Sequence, residues 1–205
     1  MWEFLKAGGP FMFFLVLTSI VAVAFIIERG LALRWPRVVP PAVEEAMQQC
    51  HDPEDLARFR HICQAQPSAL SRLLLIAMEH LGSVKAEAES AVQTQARHEV
   101  LLLERGLVIL EIIVGIAPLL GLVGTIHGLI TLFGDLAKAG LNDNTVVAKG
   151  IAIALNTTLT GLLIAIPSLI AWSYYNKKVE NLAVEMERML DEFLRRVYKK
   201  KRAKV

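Results

Sequence analysis

The fold is decided by residues 107–133, which read LVILEIIVGIAPLLGLVGTIHGLITLF. A helix needs roughly 20 mostly apolar residues to cross the roughly 30 Å of hydrocarbon in a bilayer. This stretch is longer than that and contains one carboxylate, Glu111, and one imidazole, His127. It therefore predicts a membrane-spanning helix, which we call span two.

Two more apolar stretches predict two further spans. Span three, residues 150–174, reads GIAIALNTTLTGLLIAIPSLIAWSY and contains no ionisable group before Tyr174. Span one, residues 10–33, reads PFMFFLVLTSIVAVAFIIERGLAL and is uncharged as far as Glu28. Because the residues before span one do not form a basic n-region, we expect a retained helix rather than a cleaved signal peptide. The sequence thus predicts an all-α membrane protein with three transmembrane helices.

The distribution of Lys and Arg predicts the orientation, because these residues are enriched on the cytoplasmic side of membranes. They cluster after span one and after span three, whereas the segment 134–149 carries two lysines offset by two aspartates. We therefore expect residues 1–9 and the loop 134–149 to be extracytoplasmic. The segments 34–106 and 175–205 are expected to be cytoplasmic.

Residues 34–106 predict a cytoplasmic helical insert with several breaks. The predicted breaks lie at Pro36, Pro40 and Pro41, at Asp52-Pro53, at Gln66-Pro67-Ser68 and at Gly82-Ser83. The Asp-Pro pair favours a helix start, because Asp is a good N-cap and Pro fits the first helical position. From Lys85 to Glu111 no breaker is predicted, so we expect one helix that continues into span two.

Residues 175–205 predict a helical tail that extends span three. Apolar residues recur there at helical spacing, forming a stripe of Val179, Leu182, Met186, Met189, Phe193 and Val197. The stripe favours packing against the long helix of span two, and a partner-binding surface is the alternative. Spans two and three are therefore expected to extend into a cytoplasmic helical bundle.

Composition and motifs exclude several function classes. The formal net charge is +2, and no nucleic-acid-binding motif accompanies the basic end of the chain. No nucleophile-elbow, phosphate-loop or zinc-protease motif is present, so we expect neither an enzyme nor a cofactor. Cys50 and Cys63 lack zinc-site spacing despite the nearby His51 and His61, and reduced cytoplasmic thiols are favoured over a metal cluster.

The informative residues are small and hydroxyl side chains inside spans two and three. One side of span two carries Pro118, Gly121, Thr125 and Gly128, and one side of span three carries Ala154, Thr158, Gly161 and Ala165. Gly124 and Gly128 also form a GxxxG element, which allows close helix approach in lipid. Tight packing with each hydroxyl bonded to its own i−4 carbonyl is one interpretation. The other is a lining where hydroxyls order water or meet a carboxylate from another chain.

The stretches APLLGLVGTIHGLITLF (117–133) and ALNTTLTGLLIAIPSLIAW (154–172) resemble the ExbB/TolQ/MotA proton-channel family, most strongly its ExbB/TolQ branch. The resemblance implies a homo-oligomeric ring, a pentamer, in the bacterial inner membrane. The ring would surround two single-span partners of the ExbD/TolR type, whose transmembrane Asp carries the proton, and a TonB- or TolA-like energy transducer is a candidate further partner.

The resemblance also implies roles for individual residues. Thr125 and Thr158 match the two threonines that face the partner's carboxylate, and the small residues Pro118, Gly121, Ala154 and Gly161 would line the proton path with them. Proton flow would drive movement of the partner and so energise transport or envelope maintenance. A structural scaffold without ion flux is the alternative, and a flagellar-stator-like subunit is disfavoured because that branch normally has four spans.

This sequence departs from the family pattern at one position. Many ExbB members carry a Glu five residues before the threonine of span three, where this chain has Ile153. The expected proton carrier therefore shifts from this chain to its partner. Glu111 is a candidate for the cytoplasmic exit, with an interfacial charge paired to Arg105 or a neighbouring subunit as the alternative. His127 is a candidate outer gate, with an interfacial imidazole contacting water or a neighbour as the alternative.

Overall fold

The computed structural model describes residues 9–50, 55–139 and 144–203. Within these ranges the backbone alone is described at residues 9, 138, 139, 144–146, 149 and 199–203. Within the described residues every regular element is helical. The elements are α1 (Gly9–Ala32), α2 (Trp35–Val38), α3 (Pro41–Gln49), α4 (Asp55–Ala65), α5 (Ala69–Glu79), a 3₁₀ turn (His80–Gly82), α6 (Lys85–Glu104), α7 (Leu107–Ala139) and α8 (Asn144–Ala203). The chain forms two compact units.

The first unit comprises the described parts of residues 1–29 and 106–174. Three of the described helices are long and apolar enough to span a membrane, at Pro10–Ala32, Leu107–Ala137 and Gly150–Tyr198, which confirms the predicted number of spans. The buried core of this unit joins all three helices through Met12, Leu15, Ala22, Ile113, Ala117, Ile164 and Ala165. Much of the remaining surface of α1 is exposed and apolar, which suits contact with lipid.

The second unit comprises the described parts of residues 30–105 and 175–205. The apolar stripe of the tail is buried here from Val179 to Phe193, as its spacing predicts. The ring of Phe193 packs against that of Phe59 in α4, with ring centroids 5.7 Å apart. The stripe therefore packs against the insert itself, and the prediction that named only the long helix of span two was too narrow.

The break before α5 is confirmed and has a clear local cause. Ser68 is the N-cap of α5, and its hydroxyl accepts a hydrogen bond from the Ser71 backbone N–H at 3.1 Å. Such a cap satisfies one of the donors that the first helical turn leaves unpaired. The predicted break at Gly82-Ser83 is also present, between the 3₁₀ turn and α6.

One predicted helix is interrupted. The helix expected to run without a break from Lys85 into span two ends at Glu104, and α7 begins at Leu107. Gly106 lies in this interruption, and a Cβ at that position would collide with the side chain of Arg29. The low helix propensity of glycine, together with the Arg29 side chain lying over it, accounts for the break.

The segment 134–149 contains more helix than its assignment as a loop suggested. Residues 134–139 belong to α7 and residues 144–149 to α8, while 140–143 lie outside the described residues. The predicted helix start at Asp52-Pro53 also lies outside them, as does the N-terminal segment before residue 9. The sidedness of these segments stays a prediction.

Candidate functional site

Glycine residues bring α7 and α8 into close contact. A Cβ on Gly161 would lie 2.5 Å from the Ala117 carbonyl oxygen, and one on Gly121 would lie 2.9 Å from the Thr157 carbonyl oxygen. Gly128 faces Ala154, whose Cβ would be 3.2 Å away from an added methyl group. Backbone approach of this kind is possible only for small residues and is typical of helix pairs in membranes. The stripes of small residues identified in the sequence therefore meet each other.

Three threonine hydroxyls converge where these helices cross. The Thr125 hydroxyl lies 3.1 Å from the Gly121 carbonyl oxygen and 3.0 Å from that of Ala154, and it also contacts the Thr158 hydroxyl. Thr158 lies 3.3 Å from the Gly121 carbonyl oxygen. We call Thr125, Thr157 and Thr158 with these two carbonyl groups the hydroxyl cluster.

Thr157 is the member of the cluster that sequence reasoning did not place at the site. Its hydroxyl donates to the Ala154 carbonyl oxygen at 2.7 Å and lies 3.3 Å from the Thr125 hydroxyl. Thr157 is only 1% exposed, so its hydroxyl lies in the interior of the helix pair. The sequence contained a signal for placing Thr157 at the site, because Thr157 is adjacent to Thr158 and lies within about 60° of Ala154 around the helix.

The hydrogen-bonding capacity of the cluster is larger than one chain uses. A hydroxyl donates one hydrogen bond at a time and has two lone pairs that accept. Thr125 and Thr158 are only half-buried, so each keeps one side open. The free lone pairs can therefore accept from a protonated carboxyl group. Either hydroxyl can donate to an ionised carboxylate by giving up its bond to a carbonyl oxygen of its own chain.

The other predicted path residues occupy different environments. Gly121, Ala154 and Gly161 are buried in the helix crossing, where they set the distance between α7 and α8. Pro118 is half-buried inside α7, and Ile153 is half-buried on α8. Within one chain the small residues therefore position the hydroxyl cluster, and their lining role stays a prediction.

The two ionisable candidates of span two lie away from the cluster. Glu111 is exposed on α7, fourteen residues before the threonine (125 − 111) and hence about 21 Å along the helix from it. His127 is also exposed, and its ring makes an edge contact with that of Phe11 at a centroid distance of 5.5 Å. The structure does not bring either side chain to the three hydroxyls.

Comparison with known proteins gives a consistent result. A sequence model of the MotA/TolQ/ExbB proton channel family matches residues 59–188, which is more than half of the chain and includes the hydroxyl cluster. An ExbB-like biopolymer transport protein of Synechocystis is 36% identical over 179 residues, covering 83% of this chain and 68% of the relative. The biopolymer transport protein exbB1 of Vibrio cholerae is 33% identical over 133 residues, covering 62% of this chain and 57% of the relative. The Tol-Pal system protein TolQ of Pseudomonas aeruginosa is 28% identical over 193 residues, covering 89% of this chain and 84% of the relative.

Proposed function

Because the chain belongs to the MotA/TolQ/ExbB proton channel family, we propose that it is a proton-channel subunit of the ExbB/TolQ type that uses the proton motive force to energise work in the periplasm or at the outer membrane. It acts with a single-span partner of the ExbD/TolR type. It assembles as a homo-oligomeric ring, a pentamer, in the bacterial inner membrane. The N-terminus is periplasmic and the C-terminus cytoplasmic.

The observation that carries this proposal is the pair of half-buried hydroxyls at Thr125 and Thr158. Both lie inside helices that are long and apolar enough to span a membrane. Each hydroxyl already bonds to a carbonyl oxygen of its own chain and keeps lone pairs that can accept from a further polar group. A transmembrane Asp of the partner supplies such a group. The buried glycines hold the two hydroxyls at a fixed separation for that carboxyl group.

The proposed mechanism follows from the chemistry of the two hydroxyls. A carboxyl group in a dry site resists ionisation, because burial disfavours its charged form. Thr125 and Thr158 donate to the carboxylate when it forms and accept from the carboxyl group when it is protonated. They stabilise both states and trap neither. The change of protonation then alters how the partner's helix fits against α7 and α8.

The available energy is sufficient for such a step. Moving one elementary charge through a potential of 100 mV is worth roughly 2.3 kcal/mol. An equilibrium shifts about tenfold for each roughly 1.4 kcal/mol, so one proton biases the position of the partner more than tenfold. Thr125 and Thr158 need only keep the barrier to proton transfer low, because the proton gradient sets the direction of the transfer.

The charged candidates take secondary roles in this proposal. Glu111 lies at the predicted cytoplasmic end of span two and is assigned to the exit of the proton path. For His127, contact with a neighbouring subunit is favoured over a gate, because it lies about 200° around α7 from Thr125. A helix that contacts the Thr125 hydroxyl therefore does not meet the imidazole.

A structural scaffold is the second candidate, and one observation favours it: within one chain each of the three hydroxyls already reaches a carbonyl oxygen. Proton flux separates the two functions. The protein and its single-span partner are reconstituted into liposomes with a pH-sensitive dye inside, and a potassium diffusion potential drives the protons. A channel subunit gives flux that requires both proteins and the partner's transmembrane Asp. Flux no greater than that of liposomes with the partner alone would support the scaffold instead.

A further inference from the structure

Asn156 is a polar side chain inside predicted span three, towards its outer end, and its amide has no partner among the residues that the structure describes. Its backbone carbonyl accepts a hydrogen bond from the Thr160 hydroxyl at 2.7 Å, but its side chain makes none. The threonines of the same spans with described side chains, in contrast, all bond to a carbonyl oxygen. An amide left unpaired in hydrocarbon costs several kcal/mol. The half-buried Asn156 amide therefore needs a partner outside its own chain.

His127 has the same requirement on the neighbouring helix. Its imidazole touches the ring of Phe11 edge-on, and its ring nitrogens make no hydrogen bond to any described residue. The residue is exposed on an apolar surface that includes Ile126, at 50%, and Ile130, at 65% exposure. A second polar group in the same spans thus lacks a partner within one chain.

The two side chains lie at similar depth. Ala154 is in contact with the α7 turn that contains His127, because Thr125 reaches its carbonyl oxygen at 3.0 Å and Gly128 faces its Cβ. Asn156 is two residues further along α8. The imidazole and the amide therefore lie within about one helical turn, or about 5 Å, of each other along the helix axis.

Both side chains point away from the hydroxyl cluster. His127 follows Thr125 by two residues and Asn156 precedes Thr158 by two residues, and two residues correspond to about 200° around a helix. A partner helix seated against Thr125 and Thr158 would not reach either group. Another copy of the same chain can bring a polar side chain to this depth, because each copy carries both His127 and Asn156.

We propose that His127 of one subunit hydrogen-bonds to Asn156 of the adjacent subunit. The groups are complementary, because a neutral imidazole has one donor and one acceptor and an amide has both. His127 points away from α8 and Asn156 points away from α7, so the two side chains lie on opposite sides of the helix pair and the contact is head-to-tail. Head-to-tail contacts form a ring when the rotation between subunits closes. The proposal rests on the proposed function only in requiring a homo-oligomer.

Cysteine cross-linking tests this contact in native membranes. The buried Cys50 and Cys63 are first replaced by alanine. The double variant His127→Cys/Asn156→Cys is then treated with a short bifunctional methanethiosulfonate reagent, and a ladder of covalent oligomers is expected on a denaturing gel. The matched control is His127→Cys/Leu163→Cys, because Leu163 shares the face of Asn156 but lies seven residues, or about 10 Å, deeper. No ladder from the first pair, or an equal ladder from the control pair, overturns the proposal.

A second measurement remains informative if a cysteine variant fails to assemble. His127→Leu, Asn156→Leu and the double variant are compared for subunit dissociation on dilution in detergent. Each single variant is expected to raise the dissociation constant roughly three- to thirtyfold, and the double variant no more than either single one. Additive losses overturn the proposal. Both experiments measure contact between subunits and require neither the partner nor the proton gradient, so a ladder without flux contradicts the proposed function alone.

Discussion

The carbonyl oxygen of Ala117 occupies the space that a methyl group on Gly161 would need, since an added Cβ would lie 2.5 Å from it. The obstacle is backbone and cannot rotate away. The same Cβ would lie 3.2 Å from the Cα atom of Gly121. This contact fixes the separation of α7 and α8 and thereby the separation of Thr125 and Thr158.

Gly161→Ala is therefore expected to force the two helices apart. Overpacking of this kind costs on the order of 1–3 kcal/mol. The melting temperature of the detergent-purified protein, followed by fluorescence-detected size-exclusion chromatography, is expected to fall. Gly134→Ala is the matched control, because an added Cβ there meets nothing within 4 Å. Equal behaviour of the two variants would refute the close contact.

The second unit contains an ion pair between Arg72 of α5, whose side chain is 46% exposed, and the buried Glu99 of α6. Glu99 is 1% exposed, and the Arg72 guanidinium donates to its carboxylate, with the Nε to Oε1 distance at 2.7 Å. Arg72→Met leaves that carboxylate buried, with Gln95 as its one remaining side-chain donor among the residues that the structure describes. A loss of about 3–5 kcal/mol is expected, seen as a lower melting temperature.

A surface ion pair provides the comparison for Arg72→Met. Lys85 and Glu89 are joined at 2.9 Å but remain 44% and 47% exposed, and exposed pairs contribute little. Lys85→Met is expected to leave the melting temperature nearly unchanged. A loss from Lys85→Met as large as that from Arg72→Met would contradict the distinction between the two pairs.

Cys63 is expected to be unreactive in the folded protein. Burial, with a smaller contribution from nearby Cys50, raises the pKa of its thiol from 9.0 to about 12. The thiolate is the nucleophile, so alkylation by iodoacetamide at pH 8 should be slow until the protein is unfolded in SDS. Mass spectrometry of the Cys63 peptide measures this, and rapid labelling before unfolding would show that the thiol is accessible.

The same pKa shift has a defined effect on stability. Between pH 9 and pH 12 the unfolded state loses the Cys63 proton while the folded state keeps it. The folded state then binds more protons, so the contribution of Cys63 to stability decreases as the pH rises through this range. Cys63→Ala is expected to remove this part of the alkaline destabilisation in a thermal-melt series.

The sequence predicted the three spans because long apolar stretches are read directly from composition. Tight packing of the small-residue stripes was one of two interpretations of the sequence, and the structure packs the stripe around Gly121 against the stripe around Gly161. The break at Gly106 was missed although glycine, with its low helix propensity, was a local signal. The Arg29 side chain that lies over Gly106 comes from a residue distant in sequence. Non-local contacts of this kind have no local signature.

The candidate site shows the same limit. Thr125 and Thr158 were identified from their residue type and from the family resemblance, and the structure brings them together. Thr157 was not assigned to the site, because the predicted face of span three was limited to Ala154, Thr158, Gly161 and Ala165. Arg72 and Glu99, which are 27 residues apart, were not paired in advance either, since only the packing of α5 on α6 brings them together.

The most direct test of the account is proton flux through the reconstituted protein and its partner when Thr158 is replaced by valine. Thr158→Val keeps the shape of the side chain and removes the hydroxyl, so partner-dependent flux is expected to fall at least about tenfold, as for loss of a positioned proton-transfer group. Thr158→Ser is expected to retain most of the flux. Thr160→Val is the control, because that hydroxyl bonds to the Asn156 carbonyl oxygen on another face of α8. Full flux in Thr158→Val, or an equal loss in Thr160→Val, would contradict the role of the hydroxyl cluster.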